Sequence, residues 1–142
     1  MEYNIRTNKN WETLFFHLKY EIDNEEGTIS LHSDGKGNWI NDGMPVKEFE
    51  DCIDIDIPLT PFTNTLPINR LKLHGNDDRQ IRVLYLDILA RKTKPVLQRY
   101  QRLGEYKYKY ENVPNDFEAV IEVDESGLVV NYPGLFVRTA RK

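Results

Sequence analysis

The chain has 142 residues, of which 39% are hydrophobic and 11% aromatic, so it is long and apolar enough to form one folded domain. Its single cysteine, Cys52, excludes an internal disulfide and a zinc site built from cysteines. The net charge of −4 argues against nucleic acid as a partner, and without a visible signal peptide or about 18 consecutive apolar residues the sequence predicts a cytoplasmic protein with no transmembrane segment.

The first half of the chain predicts strands joined by polar turns, because apolar and polar residues alternate with a period of two. These strands are Tyr3–Thr7, Trp11–Ile22, Thr28–His32 and Asp51–Leu59. Asn41–Glu50 is predicted to be a loop. Thr60–Leu71 is less regular, and it is predicted to be either a short helix, with Pro67 at its first position, or a packed loop.

In the second half, Arg79–Leu89 is apolar on both faces and is rich in Val and Ile, which predicts a strand that is buried on both sides. Antiparallel sheets usually expose one face, so such a strand indicates that the sheet curls or that a helix covers its back. Further strands are predicted at Val96–Leu103, Tyr106–Tyr110, Phe117–Val123, Leu128–Tyr132 and Leu135–Thr139. About ten strands at hairpin spacing predict an all-β (mainly β) antiparallel meander with at most one short helix, in a single domain over 1–142.

Three blocks of the sequence are similar to a known bacterial family. They are Cys52–Ile68 with Arg70 and Leu71, Gln98–Tyr100, and Val123-Asp124, Gly127–Val129 and Tyr132–Phe136. Together they resemble the family described as putative glycolipid-binding, a domain of unknown function, and the resemblance runs from Trp11 to Arg138. It implies a spiral β-roll, which is a strongly curved antiparallel sheet, and the binding of a glycolipid or another apolar ligand in its cleft.

Members of that family extend further at the N-terminus than this sequence does. An unpaired edge strand is a template for pairing with another chain. The resemblance therefore adds the expectation of a homodimer through the N-terminal edge.

The candidate ligand-binding residues come mainly from the three blocks. They are Asp54, Asp56, Thr63, Asn64, Arg70, Gln98, Arg99, Tyr100 and Tyr132. Asp54 and Asp56 share a strand face with Cys52, and they either bind a metal or act as acid and base, or they line a wet strand face. The polar stretch Thr60–Thr65 either satisfies loop backbone or lines the mouth of a cavity, where Asn64 and Arg70 would hold a sugar or phosphate.

Arg99 opposes Gln98 and Tyr100 across its strand. It either binds an anionic head group or forms an ion pair with Asp54 or Asp56.

The remaining aromatic candidates favour packing. Tyr132 is most simply a turn residue that packs on the core, and Tyr106, Tyr108 and Tyr110 are expected to be core residues. No nucleophile motif or phosphate loop is present. The sequence therefore predicts a binding module with an apolar cavity and no cofactor or metal. An enzyme using Asp54 and Asp56 and a dimerising structural domain remain the alternatives.

Overall fold

The computed structural model describes residues 1–58 and 60–133, and the backbone of 136–137. Within these residues the first sheet has five strands, each antiparallel to its neighbour in sequence. They are β1 (Glu2–Thr7), β2 (Thr13–Ile22), β3 (Glu25–Ser33), β4 (Trp39–Asn41) and β5 (Met44–Pro45). The segment predicted to be a loop, Asn41–Glu50, thus contains part of a hairpin and a 3₁₀ helix, Lys47–Phe49.

The second sheet has seven strands in the order β12-β11-β10-β9-β8-β7-β6. They are β6 (Asp54–Asp56), β7 (Asp78–Asp87), β8 (Lys92–Gly104), β9 (Lys107–Val113), β10 (Glu118–Val123), β11 (Val129–Tyr132) and β12 (Phe136–Val137). The pairs from β7 to β12 are antiparallel, as predicted, but β6 runs parallel to β7. Parallel neighbours need a crossover connection, and here helix α1 (Phe62–Leu71) supplies it.

Helix α1 shows how strongly the second sheet curls. It contacts both β6 and β11, which lie five positions apart in the sheet. In a flat sheet those strands would be about 24 Å apart, whereas a ten-residue helix is about 15 Å long. The sheet therefore forms a half-barrel, and the mainly β fold with a strongly curved sheet and one short helix is confirmed.

Two hydrophobic clusters lie on opposite faces of β7. Leu84 and Leu86 pack with Phe16 and Leu18 in the core between the sheets. Val83, whose side chain points to the opposite face, is also buried. The prediction of a strand covered on both sides is therefore confirmed, although Leu89 lies beyond its end and is 85% exposed. The second cluster fills the concave side of the half-barrel.

Several details of the sequence prediction are wrong for local reasons. Pro67 is the sixth residue of α1 rather than its first, and Pro61 precedes the helix. Cys52 precedes β6 and is buried in the core between the sheets, so it does not share the face of the two aspartates. Tyr106 precedes β9 and is exposed, whereas Tyr108 and Tyr110 are buried as predicted. Of the predicted strand Leu135–Thr139, only 136–137 lies within the described residues.

Candidate functional site

Asp54 is a fully buried carboxylate that is held by one arginine. Arg70 Nε donates to both carboxylate oxygens at 3.1 Å, and Arg70 Nη2 donates to Oδ2 at 2.6 Å. Burial raises the pKa of Asp54, and the hydrogen bonds and charge of Arg70 oppose that rise. The pair joins β6 to the last turn of α1, so it fixes the helix across the concave face and leaves neither group free to hold a ligand.

Asp56 follows Asp54 by two residues on β6, and its side chain lies on the same face of the strand in different surroundings. Its Oδ2 accepts a hydrogen bond from Gln98 Nε2 at 2.9 Å, and its Oδ1 accepts one from Thr63 Oγ1 at 3.4 Å. Burial raises the pKa of Asp56, which these two neutral donors only partly offset. Among the described residues no cation forms an ion pair with this carboxylate.

A group of tyrosines continues the polar network across the concave face. The hydroxyl of Tyr100 accepts a hydrogen bond from Asn64 Nδ2 at 2.9 Å, and its ring centroid lies 5.3 Å from that of Tyr110. Tyr132 lies in the same buried cluster. Burial is the main reason why the pKa of each of these tyrosines is raised, and the negative charge of Asp56 raises it further. The pKa of Tyr132 rises to about 12. They therefore stay protonated at neutral pH.

A cleft of about 300 Å³ opens beside Asp56 at the rim of the half-barrel. Strand register explains its wall, since Asp56 pairs with Tyr85 on β7 and Tyr85 pairs with Lys94 on β8. Directly paired residues share a face, so the three side chains line up across three strands. The polar side chains of the cleft are Asp56, Tyr85, Lys94, Gln98, Tyr110, Asn112 and Asp116.

The groups at the far wall of the cleft hold one another in place. Tyr110 Oη donates to Asn112 Oδ1 at 2.7 Å, and Asn112 Nδ2 donates to Asp116 Oδ1 at 2.9 Å. On the near wall, Lys94 Nζ lies 3.8 Å from a carboxylate oxygen of Asp87 and 5.8 Å from the centroid of the Tyr85 ring. Lys94, the one cation among the described residues that line the cleft, therefore already has an acidic partner.

A second cavity of about 300 Å³ adjoins the cleft and is mainly apolar. Its wall includes Ile22, Pro58, Ile88 and Leu89, and it shares Tyr85 with the cleft. A polar site and an apolar site thus meet at one tyrosine.

The structure brings eight of the nine candidate residues to the concave side of the half-barrel, and Arg99 is the exception. Arg99 lies on the opposite face of β8 from Gln98, where it pairs with Asp78 and lies 3.4 Å from Glu111. It therefore does not pair with Asp54, which Arg70 holds instead. Both arginines that could have met an anionic head group are engaged by carboxylates.

Five polar residues of the cleft were missed by the sequence reasoning: Tyr85, Lys94, Tyr110, Asn112 and Asp116. Tyr110 was expected to be a core residue, and Tyr85 was assigned to the same buried strand face as Ile81, Val83 and Leu89. The signal that places these residues at the site is strand register, which a single sequence does not supply.

Neither a metal site nor a membrane span is found in the described part of the chain. Residues 1–58 and 60–133 contain no group of three or more His, Cys, Asp or Glu side chains that could hold a metal ion. The helices within that range are too short and too polar to cross a membrane.

Comparison with known proteins identifies the family. The family model described as "Putative glycolipid-binding" matches residues 1–138. The chain belongs to this family. A crystal structure of a DUF1089 family protein from Pseudomonas aeruginosa is 40% identical in sequence, with a TM-score of 0.91 over 96% of this chain and 75% of that one. No curated protein is significantly similar to the chain.

The family match confirms the resemblance that the three blocks indicated, and the similar crystal structure supports the half-barrel. The family description names glycolipid as the class of ligand, and neither comparison confirms a ligand for this chain. The members of the Putative glycolipid-binding family thus share an architecture, and the chemistry of the cleft has to be worked out from its side chains.

Proposed function

We propose that this protein binds a glycolipid or a similar amphiphile, with its sugar head group in the cleft beside Asp56. The observation that carries the proposal is the Asp56 carboxylate, which lines a cleft and is partly desolvated without a cationic partner. A carboxylate in this state is costly unless a donor from outside the protein completes its hydrogen bonding. A sugar hydroxyl is such a donor.

The remaining side chains of the cleft suit a ligand with many hydroxyl groups. Gln98 and Asn112 carry amides, which both donate and accept hydrogen bonds, and Asp116 offers a second carboxylate. Each hydroxyl of a sugar also donates and accepts hydrogen bonds, so the hydrogen-bonding groups of the cleft and of a sugar are complementary. Tyr85 and Tyr110 supply ring surface for the less polar faces of a sugar.

The charges of the cleft favour a neutral or cationic head group over a phosphate or sulfate. Asp56 and Asp116 are acidic, and Lys94 is already paired with Asp87. An anion in the cleft would be repelled by these two carboxylates, and the described lining residues offer it no cation other than Lys94.

An enzyme that uses Asp54 and Asp56 as acid and base is less well supported, because Asp54 is not available for this chemistry. Arg70 occupies both oxygens of Asp54, so acid–base chemistry by the pair would rest on Asp56 alone. Binding requires no second group and is the function that the arrangement supports best.

Isothermal titration of octyl β-glucoside, octyl β-glucosaminide and octyl phosphate, each below its micelle concentration, tests the proposal. We expect the two sugars to bind and octyl phosphate to bind more weakly. Asp56→Asn should weaken binding of the sugars by about five- to tenfold, because the acceptor for the sugar hydroxyl changes from a charged to a neutral oxygen. Asp78→Asn, which alters an exposed carboxylate on the outer face, is the matched control and should bind as the wild type does. Preference for octyl phosphate, or equal binding by Asp56→Asn, would contradict the proposal.

A further inference from the structure

We infer that the apolar cavity beyond Tyr85 is a second compartment of the same site and takes a single alkyl chain of the ligand. This inference rests on the proposed function. The cavity has a volume of about 300 Å³, and its wall includes Ile22, Pro58, Ile88 and Leu89. Its mainly apolar lining contrasts with that of the cleft, to which polar and apolar side chains contribute about equally.

The two compartments meet where β6 and β7 end. The two strands are parallel, and they reach the cleft at Asp56 and Tyr85, which are paired. Two and three residues later, beyond the ends of the strands, the chain reaches the apolar cavity at Pro58 and Ile88. Two residues of chain span at most about 7 Å. The cleft and the cavity are therefore within reach of one amphiphile, whose alkyl chain passes around the ends of these strands toward the core between the sheets, on which Ile88 packs.

Tyr85 is placed to contact both parts of such a ligand. It lines the cleft and the cavity, and Lys94 lies over its ring. A tyrosine offers an apolar ring and a polar hydroxyl, which suits the junction between a sugar and a hydrocarbon.

Leu89 identifies the occupant as a small hydrocarbon rather than a protein surface. It is 85% exposed, and it borders the cavity together with Met1, which is 56% exposed. A stable protein interface buries about 800 Å² on each partner, far more than the wall of a 300 Å³ cavity supplies. A single chain fits that volume and buries the leucine.

A chain-length series tests the inference. Hexyl, heptyl and octyl β-glucoside should bind progressively more tightly, by about fourfold for each methylene that enters the cavity. The affinity would be measured by titration below the micelle concentration. Equal affinity along the series would overturn the inference.

Two variants separate this compartment from the polar cleft. Leu89→Ser should reduce the gain to about twofold or less for each methylene, and its effect on folding should be small because the side chain is exposed. Met44→Ser, at an exposed position on β5, is the matched control and should retain the full gain. A full gain in Leu89→Ser would place the alkyl chain elsewhere.

Asp56→Asn tells failure of this inference apart from failure of the proposed function. It should weaken all three glucosides by the same factor and leave the gain for each methylene unchanged. A chain-length gain without any effect of Asp56→Asn would retain the apolar compartment and reject the sugar site. Weaker binding by Asp56→Asn without a chain-length gain would retain the sugar site and reject the apolar compartment.

Discussion

Replacing Asp56 by asparagine should stabilise the folded protein while it weakens ligand binding. The carboxylate accepts one short hydrogen bond, 2.9 Å from Gln98, and one long one, 3.4 Å from Thr63. An asparagine can accept the first bond through its oxygen and donate to Thr63 Oγ1 through its nitrogen. Both contacts therefore survive the change.

The magnitude follows from two opposing terms. The bond from Gln98 weakens from about 1.5–3 kcal/mol for a charged acceptor to about 0.5–1.5 kcal/mol for a neutral one. Keeping an ionised carboxylate from water costs several kcal/mol when it is fully buried, and less for this partly exposed side chain. We expect a net gain of about 1 kcal/mol in the free energy of unfolding, or about 3 °C in Tm.

The pH dependence of that gain identifies its cause. Burial raises the pKa of Asp56 in the folded state, so the folded protein holds this proton more tightly than the unfolded chain does. The contribution of this group to stability therefore falls as pH rises through the folded-state pKa. The advantage of Asp56→Asn should be largest near pH 7, and it should shrink as the pH falls toward 3.8, the ordinary aspartate value.

Urea denaturation followed by circular dichroism measures the stability, and titration of octyl β-glucoside on the same samples measures binding. A variant that is less stable than the wild type at pH 7 would show that the carboxylate supports the fold. The expectation that the ionised Asp56 side chain destabilises the folded protein would then be refuted.

Three further results are expected. Arg70→Met should cost about 3–5 kcal/mol in urea denaturation, because it leaves the buried Asp54 without its partner; a loss below about 1 kcal/mol would contradict this. Gly127→Ala should destabilise more than Gly43→Ala, since both glycines have a φ of about +80° but only at Gly127 would a Cβ collide with the side-chain amide of Asn69; equal losses would contradict this. The homodimer through β1 stays a prediction, which light scattering tests: a mass of twice 16.8 kDa supports it and a mass of 16.8 kDa contradicts it.

Local periodicity was enough to predict most strands of the fold. The alternation in Trp11–Ile22 corresponds to β2, because a strand with one buried face repeats every two residues. The run of Arg79–Leu89 that is apolar on both faces corresponds to β7, which is buried on both sides. The parallel pair of β6 and β7 was not predicted. It depends on α1, whose threonines and Pro67 are poor helix formers and whose stability comes from packing on the sheet.

The site was predictable mainly where its residues lie in the sequence blocks shared with the family. Asp56, Thr63 and Gln98 were singled out in this way, and the structure joins them by hydrogen bonds. An ion pair of Arg99 with Asp54 or Asp56 was one of the alternatives, and Arg70 holds Asp54 instead, because a single sequence does not tell which arginine crosses the concave face. Tyr85 and Lys94 became visible only through the register of β6, β7 and β8.

The central claim, that ligand enters the cleft beside Asp56, is tested most directly by NMR of the side-chain amides during titration with octyl β-glucoside. Gln98 and Gln101 lie on opposite faces of β8, so they form an internal pair of probes. The account predicts that the amide signals of Gln98 and Asn112 shift with ligand while those of Gln101 do not. Shifts confined to Gln101 and the outer face would contradict it.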